Sequence, residues 1–377
     1  MKPYPPSFWE TNRSLGTFDL VIIGAGMVGL WSAWHAHLKH PNLSILVLDQ
    51  LPSGQSSAST RNAGFACYGS PSEILSDLQA ESSTDVINRM AMRYAGLQEW
   101  LKVFDRYTLG WTEGPGYEVF DLRQKDKWVH TCDHLGVLNK MAQGAGISDL
   151  AYRIVSPPTS NMVGCIAIEH EAGFHPGRAH HALKTALNAK GIHFMNGVIV
   201  PQKSEWIQSS NTWILPTPLG QITAQHIIVA TNAWTQQLFP GLDVQPGRGQ
   251  VLLTAPIDQL PYKGTYHADE GYLYFRNLGT QLLLGGGRNA YQQEETTWST
   301  DCSPHIQDYL EHYLHQVLLP GKNPKIVDRW AGTMAFSHHG KKQPIFIQER
   351  SLTIVARMSG MGLALSPELG KRAVELL

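Results

Sequence analysis

The clearest pattern of apolar and polar positions lies near the start of the chain. Residues 18–23 form a short, mostly apolar and partly β-branched segment that stops at glycine, which predicts a buried strand. The glycine-bearing segment 24–29 then predicts the opening of a helix that runs to about Lys39. Residues 44–49 repeat the apolar strand pattern. Strand, helix and strand in this order are typical of a βαβ unit with parallel strands.

Later apolar patterns predict that strand-rich pieces interrupt this unit and that both chain ends belong to it. Segment 351–356 predicts a last buried strand, and a closing helix is predicted to begin at Pro367 with Ser366 as its N-cap. The other predicted elements are one or two amphipathic helices within 73–103, short pieces between 110 and 163, a helix over 177–190, short strands near His193 and Val198, a buried strand at 227–230, and antiparallel strands at 249–255, 271–276 and 280–284.

Length and charge narrow the class of protein. A chain of 377 residues fits two lobes with a cleft, or one domain with a large insertion. Lys and Arg number 30 against 31 for Asp and Glu, and no long run of like charge occurs. The sequence therefore favours a small-molecule ligand over nucleic acid or an anionic membrane surface.

Cysteine and histidine spacing gives no expectation of a metal site. The 17 histidines form no HExxH pattern, and the cysteines form no CxxC pair, which fits a reduced compartment. Segment 18–34 is the one candidate for a signal or membrane segment, but it carries three glycines and follows a polar leader with Glu10, Asn12 and Arg13. We therefore expect a cytoplasmic protein without stable membrane insertion. The four cysteines are Cys67, Cys132, Cys165 and Cys302.

A glycine fingerprint between the first strand and the first helix predicts a dinucleotide site. Gly24 would make the tight turn, Gly26 would let the backbone approach a pyrophosphate, and Gly29 would allow the helix to pack on the strand. The helix N-terminus offers amide donors to phosphate. Asp49, about twenty residues further on, would accept hydrogen bonds from the adenosine ribose. The alternatives are a glycine turn in an ordinary α/β protein, and an Asp49 that merely ends its strand.

A loop of small and hydroxyl residues, 56–64, follows the second strand. Its side chains and amides could wrap a second side of the pyrophosphate. The alternative is a flexible surface loop.

With these motifs in place, the chain resembles the FAD-dependent oxidoreductases that include D-amino acid oxidase, glycine oxidase, sarcosine oxidase and γ-glutamylputrescine oxidase. The resemblance spans nearly the whole chain and keeps its order. Beyond the fingerprint and the 57–64 loop, the shared segments are 173–176 with the helix that follows, Val200, 230–234, 246–250, 284–288, 330–332 and 359–363.

The resemblance implies an α/β fold, in which a Rossmann-type FAD-binding domain is interrupted by an α+β substrate domain with a mixed or antiparallel sheet. The FAD-binding domain is expected at 1–105, 164–240 and 325–377, and the substrate domain at 106–163 and 241–324. The expected cofactor contacts are Gly24, Gly26, Met27, Val28, Gly29, Asp49, Gln50, Ser57, Ser59, Thr60, Arg61, Asn62, Ala63, Gly64, Val200, Thr231, Asn232, Ala233, Trp234, Gly332, Gly360, Met361, Gly362 and Leu363.

The implied reaction is oxidation of the C–N bond of a small amine or amino-acid-like substrate, by hydride transfer to N5 of a noncovalently bound FAD. The glycine-rich turn 360–363 would bring amide donors to the flavin's pyrimidine edge, or it is a turn without a ligand. Three other functions stay open: oxidation of a hydroxyl group, a tRNA-modifying flavoprotein module, and an FAD-binding protein without activity. The electron acceptor stays unknown.

Two departures limit the family argument, and a further difference concerns the attachment of the flavin. Met334 stands where glycine oxidase and D-amino acid oxidase use an arginine for the substrate carboxylate. Leu283 stands where sarcosine oxidases carry an oxygen-activating lysine, which predicts slow reoxidation by oxygen. No cysteine lies between Trp330 and Pro344, where sarcosine oxidases attach their flavin.

Strand alternation over 270–276 predicts a polar face that lines the cleft. The resemblance places Tyr272 in contact with the substrate. With Met334 unable to bind a carboxylate, Arg276 or Arg61 is expected to take that role, or Glu270 pairs with the distal ammonium of a diamine. The alternative is that Glu270 and Arg276 are exposed rim charges. Arg248 is an equal candidate for a structural and a catalytic role.

Overall fold

The computed structural model of the chain describes residue 7 and residues 16–52, 57–209 and 212–377. Glu10, Asn12 and Arg13 of the leader, and Ser56 of the hydroxyl-rich loop, lie outside the described residues. No described helix combines the length and the apolar character needed to cross a membrane. The chain divides into a first unit, Met1–Thr60, Ala179–Gly247 and Met334–Leu377, and a second unit, Arg61–Arg178 and Arg248–Thr333.

The described elements alternate between helices and strands at first and become strand-rich later. The α-helices are α1 (Met27–Lys39), α2 (Ala58–Arg61), α3 (Pro71–Asp77), α4 (Ser83–Val103), α5 (Arg106–Leu109), α6 (Lys125–Asp133), α7 (Leu135–Gly144), α8 (Pro176–Ala189), α9 (Thr235–Leu238), α10 (Pro304–Tyr313) and α11 (Gly362–Ala373). The strands are β1 (Thr17–Ile23), β2 (Ile45–Asp49), β3 (Phe65–Ala66), β4 (Gly116–Asp121), β5 (Tyr152–Val155), β6 (Met162–Ile168), β7 (Ala172–Gly173), β8 (His193–Asn196), β9 (Ile207–Ser209), β10 (Thr212–Thr217), β11 (Gly220–Val229), β12 (Gln245–Thr254), β13 (Thr265–Ala268), β14 (Leu273–Leu278), β15 (Gln281–Gly286), β16 (Ile326–Phe336), β17 (Ile345–Glu349) and β18 (Leu352–Ala356).

The sheet of the first unit has the strand order β17-β18-β11-β1-β2-β8, and β10 also pairs with β11 while β9 pairs with β10. The strands β18, β11, β1, β2 and β8 run parallel, while β17 is antiparallel to β18. Strand β1 is buried from Leu20 onward because sheet neighbours and helices cover both of its faces. This arrangement confirms the predicted βαβ unit and the α/β fold class.

Helix α11 packs against α1 within the first unit. A Cβ atom at Gly370 of α11 would lie 2.7 Å from the backbone nitrogen of Ser32 and from the Cβ atom of Trp31 on α1. Glycine therefore sets how closely the two helices approach. The helix begins at Gly362, so the predicted start at Pro367 is wrong: Pro367 lies inside the helix. The helical turn before Pro367 is buried, and Leu363 and Leu365 are among its buried residues. The helix therefore starts earlier than the position of the proline indicates.

The second unit contains a mixed sheet of order β16-β12-β15-β14-β13-β4-β6-β5. From β12 to β5 its pairings are antiparallel except that of β13 with β4, which is parallel. The predicted mixed or antiparallel sheet is therefore confirmed. One face packs on α10, through Leu252, Phe275, Leu284, Ile306 and Leu310 among others.

The compact units differ from the predicted domain boundaries at four segments. Residues 61–105, 164–178 and 325–333 lie in the second unit rather than the predicted FAD-binding part, and 241–247 lie in the first. The long helix α4 explains the largest difference, because its Val86 and Met90 share a core with Phe120 of β4 and Ile166 of β6.

Two smaller strand predictions are also corrected. Val198 is buried but follows β8 as irregular chain instead of forming a strand. The strand predicted over 271–276 begins only at Leu273, because Asp269, Glu270 and Gly271 all have positive φ angles and form a turn.

Candidate functional site

The glycine fingerprint forms a tight turn between β1 and α1. Gly24 has a φ angle of 109°, and a Cβ atom there would lie 2.6 Å from the carbonyl oxygen of Ala230. A Cβ atom at Gly29 would lie 1.9 Å from the carbonyl oxygen of Gly24. Only glycine fits at both positions, so the turn brings the start of α1 directly over the end of β1. The first turn of any helix leaves backbone amides without intrahelical partners, and Val28 carries one of them.

Two side chains hold the turn in place. Asp49 Oδ2 accepts a hydrogen bond from the Ala25 amide at 2.7 Å, and its Oδ1 accepts one from the Leu51 amide at 2.8 Å. Ser59 Oγ accepts a hydrogen bond from the Met27 amide at 3.0 Å. Asp49 therefore does more than end its strand, since it fixes the loop on which the fingerprint depends. Its contact to a ribose stays a prediction, as does that of the exposed Gln50 beside it.

The described part of the loop after β2, from residue 57 onward, contains the short helix α2 and a turn. Ser57 precedes this helix and Thr60 lies within it, both in the first unit, and Asn62 in the second unit accepts a hydrogen bond from the Gly64 amide at 3.0 Å. Arg61 forms hydrogen bonds within the protein. Its Nη1 donates to the Ala331 carbonyl at 3.0 Å, and its own carbonyl accepts from Trp330 Nε1 at 3.0 Å. These bonds weigh against Arg61 as the substrate's carboxylate ligand.

The ends of β11 and β18 meet in the first unit. Asn232 has a φ angle of 48°, and its Oδ1 accepts a hydrogen bond from the Met358 amide at 3.3 Å. Thr231 contacts Thr235 through their hydroxyl oxygens at 2.9 Å, while Ala233 is buried and Trp234 closes the turn. Ser359 and Gly360 have positive φ angles of 48° and 85° just before Met361, Gly362 and Leu363 at the start of α11.

Several of these segments contain buried hydroxyl groups that no described residue satisfies. They are Ser57 Oγ and Ser359 Oγ in the first unit and Thr333 Oγ1, next to Gly332, in the second. A buried hydroxyl without a partner costs free energy, so such groups mark places where a polar ligand belongs. Val200, the predicted adenine contact, lies in an apolar core with Trp206 and Trp213, and its contact with adenine stays a prediction. Polar turns beside an apolar core fit a dinucleotide such as FAD.

Arg276 lies in the second unit, where it is buried with 3% of its surface exposed. Its Nη1 donates to the carbonyl oxygens of Gly64 and Phe174, the latter at 2.8 Å. Burial lowers the pKa of the guanidinium to about 10. The alternative of an exposed rim charge is therefore wrong for Arg276, and its bonds to two carbonyls weigh against its role as carboxylate ligand.

Glu270 and Tyr272 belong to the turn between β13 and β14, not to the strand face. Glu270 pairs with Lys127 at 2.7 Å, so its carboxylate already has a cationic partner. This ion pair weighs against the predicted contact of Glu270 with a diamine. Tyr272 is 38% exposed, and the amide of Gly287 donates to its carbonyl oxygen at 2.9 Å.

Alternation along β14 is as predicted from Leu273 onward. Leu273 and Phe275 face the core with α10, while Tyr274 and Arg276 lie on the other face. On that face an apolar cluster surrounds Tyr274. Its other members are Ala63, Phe65, Val251, Leu253, Leu283 and Trp330.

Arg288 lies in the segment 284–288 that carries part of the family resemblance, but no role was predicted for it. It is half-buried, begins a short 3-10 helix after Gly287, and interacts electrostatically with Tyr272, Tyr274 and Glu295. Burial lowers the pKa of its guanidinium. The glycine run at 285–287 directly precedes it in the sequence.

The contacts of Arg248 favour a structural role. Its guanidinium donates to both carboxylate oxygens of Glu295, at 2.9 and 2.6 Å, and to the Asp301 carbonyl at 2.7 Å. Glu295 has none of its surface exposed and also accepts from Gln250 at 2.8 Å. This network ties β12 to the segment before α10.

A second polar cluster is buried behind Phe65. Ligand atoms of Cys67, Glu171 and His267 lie within 4.8 Å of one another, a spacing that could hold a metal ion. However, His267 Nε2 already contacts Glu171 at 2.9 Å, and Arg93 Nη2 donates to Cys67 Sγ at 3.2 Å. Burial also raises the pKa of the Cys67 thiol to about 12, which keeps it protonated. The protein's own contacts account for the cluster without an ion.

Comparison with known families decides the identity of the dinucleotide. The model of the family described as DAO, FAD dependent oxidoreductase, matches residues 19–376, which is nearly the whole chain. The chain belongs to the DAO family of FAD-dependent oxidoreductases. FAD is therefore the cofactor of this DAO-family protein, and the predicted resemblance is confirmed.

Individual relatives are distant in sequence. Glycine oxidase from Geobacillus kaustophilus superimposes with a TM-score of 0.73 at 18% identity, over 94% of this chain and 92% of that one. L-proline dehydrogenase from P. horikoshii gives a TM-score of 0.74 at 16% identity, over 96% and 93%. The bifunctional protein ThiO/ThiG of Trichormus variabilis (strain ATCC 29413 / PCC 7937) is 23% identical over 283 residues, which cover 71% of this chain and 39% of that protein. The chain thus spans well under half of that relative.

Proposed function

We propose that this DAO-family protein oxidises the C–N bond of a small amino acid or related amine. The observation that carries the proposal is the apolar face around Tyr274, which contains Phe65, Leu283 and Trp330 and offers an aromatic wall to a small organic substrate. Two structural relatives named above, a glycine oxidase and an L-proline dehydrogenase, act by their names on amino acids.

The residues that would hold FAD follow from the turns already described. The fingerprint, with Asp49 and Ser59 fixing it, presents the start of α1 to the pyrophosphate. Ser57, Thr333 and Ser359 provide hydroxyls that need polar partners. The turn at Gly360 offers backbone amides to the flavin ring. Bound there, FAD supplies the hydride acceptor, its N5 atom.

The protein's own part in the reaction is to position the substrate and to exclude water from the site. Phe65, Leu283 and Trp330 form an apolar wall that excludes water, and such surroundings favour the neutral form of a substrate amine. A neutral nitrogen is needed before hydride can leave the adjacent carbon. Tyr272 contacts the substrate from the turn before β14. No side chain has to form a covalent bond, and the imine product hydrolyses in water.

The test is reduction of the purified yellow protein under nitrogen by a panel of compounds. Glycine, N-methylglycine, L-proline and D-alanine represent amino acids, putrescine represents diamines, and glycerol 3-phosphate represents hydroxyl substrates. We expect the flavin's visible absorbance to bleach with an amino acid and not with glycerol 3-phosphate. Bleaching by the hydroxyl compound alone, or by none of the panel, contradicts the proposal.

The variant Tyr272→Phe adds a residue-level check. Loss of its hydroxyl should slow reduction by the best substrate about tenfold, as expected for one lost hydrogen bond of about 1 kcal/mol or more. Tyr107→Phe is the matched control, because Tyr107 is 84% exposed. Equal rates in all three proteins would remove Tyr272 from the substrate site.

A further inference from the structure

A pocket in the first unit shares no lining residue with the predicted cofactor contacts. It lies between the short 3-10 helix Lys203–Glu205 and the segment 238–242 at the end of α9. Both segments belong to the first unit. The volume of the pocket is about 500 Å³, which is within the range of sites for small molecules. The position of the FAD therefore gives no reason for this pocket.

Apolar side chains from 238–242 form much of the pocket lining. They are Leu238, Phe239, Pro240 and Leu242. The ring of Phe239 meets that of Trp206 edge-on, with ring centroids 5.8 Å apart, and both Phe239 and Leu242 pack against the core to which Trp206 belongs. The apolar part of the pocket is thus held by the core of the first unit, and it offers a preformed surface to the apolar body of a ligand.

Lys203 brings a positive charge to the same lining. Its Nζ lies 4.2 Å from the ring centroid of Trp213 and 5.5 Å from that of Trp206. Both indoles are fixed by hydrogen bonds, since Trp213 Nε1 donates to Ser351 Oγ at 2.9 Å and Trp206 Nε1 donates to the Pro201 carbonyl at 2.9 Å. The ammonium group therefore has a defined place beside the apolar surface.

The aromatic rings attract the charge of Lys203 without accepting ordinary hydrogen bonds from it. An ammonium group has three N–H donors, and a ring face offers no lone pair to any of them. Burial lowers the pKa of Lys203, and no charged neighbour among the described residues opposes this effect. A carboxylate bound next to the ammonium would offset the loss of water around the charge.

We propose that this pocket is a second ligand site, which binds a small carboxylate with an apolar body. Lys203 pairs with the carboxylate, and Phe239 and Leu242 contact the apolar body. One lysine beside an apolar surface suits a single negative charge, whereas a phosphate would need several donors. The site goes beyond the proposed oxidation and does not depend on it.

The first experiment is calorimetric titration of the FAD-loaded protein with 4-phenylbutyrate and with its neutral amide. We expect the wild type to bind the acid about tenfold more tightly than the amide. Lys203→Met keeps an unbranched side chain over the indoles but removes the charge, so it should weaken binding of the acid about tenfold and change binding of the amide less than threefold. Lys190→Met is the matched control, because Lys190 also lies over an indole, 5.1 Å from the Trp34 centroid, and does not line the pocket.

A second variant fills the pocket and keeps the charge. Gly241 lines the pocket, and nothing lies within 4 Å of a Cβ atom there. Gly241→Phe should therefore occupy the cavity without displacing the core, and weaken binding of both compounds about tenfold or more. FAD content and the thermal unfolding midpoint should stay as in the wild type. Gly136→Phe, where a Cβ atom also meets nothing within 4 Å, should bind both compounds normally.

The visible spectrum of the flavin reports whether the acid binds beside the cofactor instead. We expect the spectrum to stay constant while the calorimetric signal saturates. The inference is overturned if the wild type binds neither compound or both equally, if the flavin spectrum follows the binding curve, or if Gly241→Phe binds the acid as the wild type does. Tight binding of the acid by a folded Lys203→Met protein would also overturn it, and would leave Lys203 as a residue that only packs on the two indoles.

Discussion

Buried polar side chains of the second unit depend on hydrogen bonds from their immediate neighbours. Arg276 donates to the backbone carbonyls of Gly64 and Phe174 without forming an ion pair among the described residues. Glu118 has 1% of its surface exposed and accepts hydrogen bonds from the Ser72 amide at 2.9 Å and from the hydroxyls of Ser70 and Ser72. Such bonds reduce the cost of burying a charge but do not replace water fully. The pKa values of Arg276 and Glu118 therefore both differ from the usual values of these side chains.

Glu118 predicts a pH dependence of stability. Burial raises the pKa of its carboxyl from 4.5 to about 7. Between these values the unfolded chain has released the proton while the folded protein keeps it, so stability falls as pH rises from about 4.5 to about 7. The shift corresponds to about 3 kcal/mol. Glutamine resembles the protonated acid, so Glu118→Gln should be more stable than the wild type at pH 8 by up to that amount and gain nothing at pH 4.

Denaturant unfolding at a series of pH values measures this difference. Glu113→Gln is the matched control, since the Glu113 side chain is 78% exposed, and it should follow the wild type. If the difference between wild type and Glu118→Gln is the same at pH 4 and pH 8, the pKa of Glu118 is the same in the folded and unfolded protein, and the stated shift is wrong.

At the scale of elements, glycines decide which helices and strands can touch. Gly370 permits α11 to lie on α1, and Gly286 permits the turn before β14 to lie against β15. Glycine in a helix interior costs about 1 kcal/mol relative to alanine, so its presence in α11 needs a packing reason. The short distance to the backbone of Ser32 supplies that reason.

Gly370→Val should therefore separate α11 from α1. A Cβ atom 2.7 Å from backbone atoms cannot be relieved by a side-chain rotation, so one helix has to shift, at a cost of about 3 kcal/mol. Gly136→Val, on α7, is the control, because nothing lies within 4 Å of a Cβ atom there. Thermal unfolding followed by circular dichroism measures both. Equal midpoints for the two variants would show that α11 tolerates the larger side chain.

Elements with a strong local pattern were predictable, and those set by distant contacts were not. The strands β1 and β2 and the helix α1 follow from apolar runs and a glycine turn. The turn at 269–271 was not predictable, because Asp269 and Glu270 adopt left-handed φ angles of 49° and 58° that their residue types do not specify. The predicted start of α11 was wrong for a related reason: Pro367 is compatible with the first turn of a helix and, as here, with its interior.

The residues of the site likewise divide into those that could be predicted from the sequence and those that could not. The glycines of the fingerprint were predictable because each has a backbone requirement, whereas side-chain partners were not. Asp49 was expected to contact a ribose, and it holds two backbone amides as well. Glu270 was expected to meet a ligand, and its partner is Lys127, from a helix more than a hundred residues earlier in the chain. Pairings of this kind depend on the tertiary fold.

At the scale of the whole molecule, the predicted cofactor residues come from segments that are far apart in the chain. The fingerprint and Ser57 lie near its start, whereas Thr333 and Ser359 lie near its end. A ligand that binds only the folded chain stabilises it by mass action, by about 3 kcal/mol when its concentration is 100 times its Kd. FAD is thus expected to contribute to the stability of the folded protein as well as to its chemistry.

The last prediction is that FAD is held noncovalently and depends on Gly26. No cysteine lies between Trp330 and Pro344, so acid precipitation should release all the yellow colour into the supernatant. Gly26 adopts φ −72° and ψ 178° before α1, and a Cβ atom there would lie 3.0 Å from Ser59 Oγ, which holds the Met27 amide. A valine would both displace this hydroxyl and fill the space expected for the pyrophosphate, so Gly26→Val should purify colourless and lose the stabilisation due to FAD. Adding FAD should raise the unfolding midpoint of the stripped wild type and of the control Gly136→Val, but not that of Gly26→Val. Colour that stays with the acid pellet would show a covalent link, and a yellow Gly26→Val protein would show that the fingerprint does not contact the cofactor.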